Sequence, residues 1–386
     1  MKILLLTVTA GYGHHATAKA LAELFREKNA ETEIVDIYEY ISKTVRTAIA
    51  QGYLLSSKYT PELYRLFYSR TSRNREKFDK ASFVKLINTL GALRFEPFVE
   101  NFSPDAIICT HVLAAHLVSK MKQRNMIDVP CIGIVTDYCI HPYWEDVLHM
   151  EAMVTASELI TRTAVKRGIP EERILPLGIP IHPKFNRYIS REDACAQLNL
   201  DPKRHTVLLM GGSMGYGNSK KLIEQIVDIG IDFQILAVCG NNKRAYNRLI
   251  AFREEYRGDC DIRVMGFVDN VEVLMSASDC IVTKPGGLTV SEAIAKGLPM
   301  ILVNPIPGQE ERNVEFLLNN GIASLVTKTF PLDEALYHLF HNPARLHTVR
   351  EIIRAIGHPD ASERLVDYVT ELVQQHKDSI QRIEEA

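Results

Sequence analysis

Two apolar runs in this chain end in a glycine-rich turn and continue as a helical pattern. The first runs from Ile3 to Thr9, turns at Gly11-Tyr12-Gly13-His14-His15 and continues as Ala16-Thr17-Ala18-Lys19-Ala20-Leu21. The second runs from Val207 to Met210, turns at Gly211-Gly212-Ser213-Met214-Gly215-Tyr216-Gly217 and continues as Ser219-Lys220-Lys221-Leu222-Ile223. A strand that ends in such a turn at a helix N-terminus offers backbone N–H groups to an anion. The two turns lie about 200 residues apart, more than one open α/β domain usually spans, so the chain is expected to fold as two domains.

The rest of the chain repeats the alternation. Strands are expected at 34–37, 106–110, 131–136 and 152–155, with a helix over 15–28. A second set is expected at 207–210, 234–239, 262–265, 280–283 and 300–303, and a closing helix over about 362–384. Short apolar runs separated by helical patterns argue for parallel sheets covered by helices on both faces. The proline-rich, polar stretch from Pro176 to Arg204 reads as the linker. The expected division is 1–185, 186–360 and a terminal helix over 361–386.

Bulk properties narrow the class. With 46% apolar and 24% charged residues, the chain has the composition of a globular protein. A net charge of −2 gives no reason to expect a nucleic-acid partner. The seven cysteines form no C-x-x-C pair and read as reduced core residues of a cytoplasmic protein. No stretch approaches the ~18 apolar residues of a membrane span, so any membrane contact is expected to be peripheral.

Residues 42–95 break the pattern. They hold eleven Lys and Arg against three acids, a local charge of +8 on a chain whose total is −2. Arg70, Arg73 and Arg75 lie close to Tyr64, Phe67 and Tyr68. Cations with aromatic anchors suit an anionic lipid surface. The alternative is a solvated helical pair whose aromatics are core.

The densest polar chemistry follows the strand at 280–283. Thr283-Lys284-Pro285-Gly286-Gly287-Leu288-Thr289-Val290-Ser291-Glu292 makes a third glycine turn at a helix start. Thr289 can offer a hydroxyl and an N–H to a phosphate. Glu292, expected on the first turn of that helix, can accept two hydroxyl hydrogen bonds, which suits a ribose diol. A helix cap favoured by the dipole is the competing explanation. Next come Pro307-Gly308-Gln309-Glu310 and Asn313, polar groups able to bind sugar hydroxyls. An Asp-x-Asp at Asp259-Cys260-Asp261 has the pattern of a metal-binding pair, but it precedes a strand and reads as a solvated turn.

On these residues the chain resembles the two-domain GT-B glycosyltransferases of family 28. Within that family it is most similar to the monogalactosyldiacylglycerol synthases and the processive diacylglycerol glucosyltransferases. The resemblance is carried by Gly11 to Ala18, by Thr136-Asp137-Tyr138-Cys139-Ile140-His141-Pro142-Tyr143-Trp144, by Gly211 to Gly215, by Lys284 to Thr289 and by Pro307 to Glu310. Tyr12 departs from it, since many relatives have glycine there. The resemblance implies two Rossmann-like domains with parallel sheets facing across a cleft, and an enzyme that moves a hexose from a UDP-sugar to diacylglycerol with inversion. It also implies a UDP-sugar site from Gly13, Gly212, Ser213, Met214, Phe267, Val268, Gly286, Gly287, Thr289, Glu292, Gly308, Gln309, Glu310 and Asn313, with Gly266-Phe267-Val268 clamping the uracil. The 42–95 segment would dock on the inner face of the cell membrane, with His141 and Trp144 near the acceptor or packed under the cleft.

Displacement at a sugar carbon needs a base for the acceptor hydroxyl and stabilisation of the departing diphosphate. His14, at a helix N-terminus where the dipole disfavours imidazolium, is the expected base. Asp137 is the alternative base, or it orients His14. Backbone N–H groups near Ser213 and Thr289 would take the diphosphate charge, so no metal or other cofactor is expected. The rival readings are an N-acetylglucosamine transferase acting on another lipid, a hydrolase or epimerase of the same fold, and a UDP-sugar-binding membrane sensor without turnover.

Overall fold

The structure, a computed structural model, describes residues 1–8, 12–40, 94–211 and 219–385. The expected contacts Gly212, Ser213 and Met214 lie outside the described residues. So do Tyr64, Phe67, Tyr68, Arg70, Arg73 and Arg75 of the basic segment. The chain divides into two compact units. One comprises Met1–Pro183, Ile306–Gln309 and Asp360–Ala386; the other comprises Lys184–Pro305 and Glu310–Pro359.

The first unit is built on β1 (Lys2–Thr7), β2 (Glu31–Asp36), β3 (Ala106–Cys109), β4 (Cys131–Ile134), β5 (Ala152–Val154) and β6 (Ile174–Leu175). They form one parallel sheet in the order β2-β1-β3-β4-β5-β6. Ile3 to Leu6 and Ala106 to Cys109 are wholly buried, as continuous apolar runs must be when helices cover both faces. The helix α1 (Tyr12–Glu27) follows β1, and α2 (Val112–Gln123) follows β3.

The second unit holds β7 (Thr206–Met210), β8 (Gln234–Val238), β9 (Asp261–Met265), β10 (Cys280–Thr283), β11 (Met300–Leu302) and β12 (Ala323–Leu325) in the parallel order β12-β11-β10-β7-β8-β9. Its helices include α3 (Arg191–Leu198), α4 (Val271–Ala277), α5 (Gly287–Ala295), α6 (Gln309–Asn319) and α7 (Pro343–Ile356). The closing helix α8 (Ala361–Glu384) sets Leu365, Val366, Val369 and Val373 into the core of the first unit beside Leu21 and Phe25 of α1. Each such buried side chain contributes about 1.5–3 kcal/mol.

In both sheets the first strand has neighbours reached by opposite windings. β1 lies between β2 and β3, and β7 lies between β8 and β10. Ligand crevices of open α/β sheets form at these reversals, beyond the carboxyl ends of the strands. In this sequence the glycine-rich segments expected as turns follow β1 and β7, with Gly11 and Gly212 to Gly217 outside the described residues.

The elements depart from the sequence expectations in three places. The linker stretch contains α3, which is capped by Ser190 accepting from the Asp193 N–H at 3.0 Å and ends at Asn199 in the left-handed region. Only Ala194 and Cys195 of this helix are buried, so it has no apolar stripe to announce it. β6 and β12, of two and three residues, are too short to show a period. α1 begins at Tyr12 rather than at 15, so His14 lies within its first turn. The cysteines are free, and most are buried. Among the described residues no helix is long and apolar enough to cross a membrane.

Candidate active site

In the first unit a polar cluster gathers at the carboxyl ends of β1, β3 and β4. His14 leads into α1, Thr110 and His111 follow β3, and Thr136 and Asp137 follow β4. His14 Nδ1 lies 2.8 Å from the Thr110 carbonyl oxygen and 3.0 Å from Thr136 Oγ1. A carbonyl can only accept, so Nδ1 carries the proton and the lone pair of the neutral ring is on Nε2. Burial pushes the His14 imidazole below its usual value, against the pull of the Asp137 charge and the Thr110 carbonyl. The ring is therefore a neutral acceptor at neutral pH, with a carboxylate near enough to stabilise the cation once a proton arrives. His15 points elsewhere, toward the charges of Lys19 and Asp36, as adjacent helical residues must.

The His-Pro-x-Trp segment serves the same end of the sheet. His141 Nδ1 accepts the Tyr143 N–H at 3.2 Å and starts a short helical turn over Pro142–Asp146. Trp144 is buried, and its ring sits where a side chain on Gly133 of β4 would need space, 2.8 Å from the Cβ position. Glycine on β4 thus admits the indole, and Trp144 props the strand that leads to Asp137.

The donor-type motif gathers at the matching end of the second sheet. Gly286 is the N-cap of α5 and, among the described residues, no side chain caps this terminus, which leaves the first-turn N–H groups of Gly287, Leu288 and Thr289 for another acceptor. Thr289 is partly buried. Glu292 lies on the second turn of α5, not the first, because the helix begins at Gly287. Its distance from the helix start weakens the dipole explanation, since that effect fades within one turn. Burial, with the Glu272 charge adding to it and Lys184 opposing it, pushes the Glu292 carboxyl up to about 8. It makes no hydrogen bond or ion pair among the described residues.

The second polar segment meets this turn. Glu310 Oε1 lies 3.9 Å from where a Cβ on Gly286 would stand. Asn313 is fully buried and donates from Nδ2 to the Pro285 carbonyl at 2.9 Å, so its amide holds the turn rather than facing outward as its polarity suggested. Gly308 has φ 87, a left-handed conformation that favours glycine at the entry to α6. The Gln309 side chain is outside the described part. Phe267, just past β9 with Val268, is 71% exposed, unusual for a large aromatic.

Asp259 and Asp261 stand at the opposite end of this sheet, where β9 begins, and Asp261 pairs with Arg263 at 2.8 Å. Among the described residues no group of three or more His, Cys, Asp and Glu side chains is arranged to hold a metal.

Sequence reasoning missed four residues. Thr110 and Thr136 fix the His14 tautomer, one through a main-chain carbonyl that carries no sequence signal. His111 packs edge-on against His14, and its position just past a strand was the available clue. Lys184 pairs with Glu272 at 2.8 Å beside the Glu292 carboxyl.

Known proteins resemble this chain over nearly all of it. The family of monogalactosyldiacylglycerol (MGDG) synthase matches residues 14–181, and the glycosyltransferase family 28 C-terminal domain matches 206–378. A processive diacylglycerol beta-glucosyltransferase of Bacillus cereus (strain AH187) is 30% identical over 375 residues, 95% of this chain and 93% of the relative. One from Bacillus cytotoxicus is 29% identical over 374 residues, 96% and 93%. Among solved structures, MurG of Acinetobacter baumannii superposes with TM-score 0.65 at 14% identity, covering 96% of this chain and 99% of that one. The UDP-GlcNAc 2-epimerase of Neisseria meningitidis gives 0.58 at 14% identity, covering 96% and 100%. The fold is that of the GT-B glycosyltransferases. The chain belongs to glycosyltransferase family 28, in the branch of the monogalactosyldiacylglycerol synthases and diacylglycerol glucosyltransferases.

Proposed function

We infer that the protein transfers a hexose from a UDP-sugar to diacylglycerol, forming a glycolipid with inversion at the sugar carbon. The observation that carries the chemistry is the His14 tautomer. With Nδ1–H held by the Thr110 carbonyl, Nε2 is left to take the proton of the acceptor hydroxyl as its oxygen attacks the anomeric carbon. The bond to the diphosphate breaks, UDP departs, and the Asp137 charge stabilises the imidazolium that remains. The N–H groups at the start of α5 and those of the Gly212–Met214 turn would meet the developing diphosphate charge. Glu292 would bind the ribose, the backbone at Phe267 and Val268 the uracil, and Gln309 and Glu310 the sugar hydroxyls.

We also propose that no divalent ion takes part, because the Asp-x-Asp pair lies at the wrong end of its sheet and Asp261 is already engaged. The basic, aromatic composition of residues 42–95 supports a peripheral position on an anionic membrane, on its inner face.

The test is separation of lipid products after incubation with diacylglycerol vesicles and UDP-glucose, UDP-galactose or UDP-N-acetylglucosamine in turn. A hexosyl-diacylglycerol product is expected. Product only from the N-acetyl donor, hydrolysis or epimerisation of the donor, or binding without turnover would each replace this reading. His14→Ala is expected to lower kcat roughly 100-fold or more with donor affinity little changed. An equal loss of both would make His14 a phosphate ligand, and a larger effect from Asp137→Ala would move the base there.

A further inference from the structure

The histidine cluster around His14 holds more imidazole than the reaction uses. His111 lies against His14 with ring centroids 4.7 Å apart and planes at 85°. Its Nδ1 accepts the Leu113 N–H at 3.1 Å and so caps α2. The lone pair of the neutral His111 ring is thereby spent on the backbone, and its proton sits on Nε2. His141 spends its Nδ1 lone pair the same way, on the Tyr143 N–H. His116, one turn along α2, bonds the Tyr143 carbonyl from Nε2 at 2.8 Å, so that nitrogen carries a proton.

We propose that His111 is a positioning residue for the base: capped to α2, its ring forms a neutral wall that keeps water and a competing proton away from His14. The inference rests on His14 acting as the base. Protonating His111 would break the α2 cap and set a cation edge-on to His14. Burial already pushes the His111 imidazole well below its usual value, and His14, His141 and His116 would each repel its cation. Among the described residues, the charged or titratable groups facing this pair are His14 from α1, His116 from α2, and Asp137 and His141 from the segment after β4. Among the described residues, the Asp137 charge and the Thr110 carbonyl favour a cation here, and both act on His14. A proton taken from the acceptor therefore stays on His14, from which it must later leave.

Two variants separate the wall from the cap. His111→Asn keeps a side-chain acceptor for the Leu113 N–H and removes the ring. His111→Phe keeps a ring and removes the cap. The measurements are nitrogen-detected NMR titration of labelled histidines, the pH profile of kcat/KM, and the melting temperature. In His111→Asn, His14 is expected to titrate about half a unit or more higher, since its burial is relieved, with the acid limb of the profile moving alike and the melting temperature held. In His111→Phe the His14 titration should stay low while the melting temperature falls. An unmoved His14 titration in His111→Asn, or equal movement in both variants, would reduce His111 to a helix cap and overturn the proposal. In the unaltered protein, His111 is expected to keep its Nε2–H form from pH 8 down to pH 5, and titration of His111 near 6.5 would overturn it without any variant. A His14→Ala enzyme that still turns over would refute the base assignment instead, and would leave the His14 titration in His111→Asn to be judged on its own.

Discussion

Donor binding should release a proton from Glu292. Its carboxyl is pushed up to about 8 by burial and by Glu272, with Lys184 pulling the other way. At pH 7 a group with that value is roughly nine-tenths protonated. To accept hydrogen bonds from both ribose hydroxyls it must ionise, which costs about 1.4 kcal/mol at pH 7. Affinity for UDP-glucose should therefore climb almost tenfold from pH 6 to pH 7 and level off above pH 8. Calorimetry near pH 7 should detect nearly one proton released per donor bound, as an enthalpy that differs between phosphate and Tris buffers. UDP-glucose is the right probe, because its diphosphate is esterified at both ends and does not titrate in this range, whereas the terminal phosphate of UDP does. Glu292→Gln should abolish the pH dependence and weaken binding by about 2 kcal/mol, the worth of charge-assisted bonds to the diol. The ligand-free protein supplies a sign check. A carboxyl raised on folding holds its proton in the native state, so its contribution to stability is complete below about 4.5 and is lost as pH rises toward 8. Affinity constant from pH 6 to 8, with equal enthalpies in both buffers, would refute the proton release. Unchanged affinity in folded Glu292→Gln would remove the residue from the site.

The remaining predictions address metal, core and membrane. Turnover should survive EDTA, and activity that is lost to the chelator and restored by magnesium would end the metal-free account. Asp279 is buried between Arg191 at 3.0 Å, Arg350 at 3.2 Å and the Thr206 N–H at 2.9 Å. Asp279→Asn should cost about 3 kcal/mol by leaving the two guanidiniums unpaired. Burial raises the Asp279 carboxyl, but His205, Arg191, the Thr206 N–H and Arg350 together hold it below its usual value. The unaltered protein should therefore lose this stability as pH falls below about 4, and denaturant melts of variant and wild type would measure both effects. Gly133→Ala should destabilise the first unit by about 1–3 kcal/mol, because its Cβ would meet the Trp144 ring at 2.8 Å, and an unchanged melting temperature would refute that packing. Reversing Arg70, Arg73 and Arg75 to Glu should release the protein from phosphatidylglycerol vesicles in flotation at low salt while donor binding persists. A variant that floats as well as wild type would make the basic segment an ordinary solvated face.

Much of this architecture is legible in the sequence because parallel strands covered on both faces must be apolar throughout. Runs such as Ile3 to Leu6 and Cys280 to Val282 leave little choice, and glycine-rich segments follow them in the sequence. What stayed hidden depends on contacts rather than residue types. α3 buries two residues and so lacks a stripe, although Ser190-x-x-Asp193 was a readable cap. Glu292 moved from the first turn to the second because the helix start depended on Gly286 serving as the N-cap. Asn313 reads as a sugar ligand until its amide is seen bonded to Pro285. The tautomer of His14 could not be read at all, since its partner is the backbone of a residue 96 positions away.

The charge states around Glu292 and around His14 follow one logic. A UDP-sugar brings two negative charges, and carboxylates in its path would oppose it. On the proposed reading, Glu292 would meet that problem by staying protonated until the ribose satisfies it. The Asp-x-Asp pair is kept at the far end of its sheet, with Asp261 neutralised by Arg263. In the first unit, His14 is held neutral, so that it can accept a proton at all. The Asp137 charge acts on His14, where, on the proposed reading, a positive charge would form only as the acceptor oxygen attacks. A permanent negative charge is tolerable beside an imidazole that becomes a cation during the reaction, and costly beside a diphosphate that is anionic throughout. This difference is why Asp137 and Glu292, two carboxyl groups beyond the carboxyl ends of similar parallel strands, can serve opposite tasks.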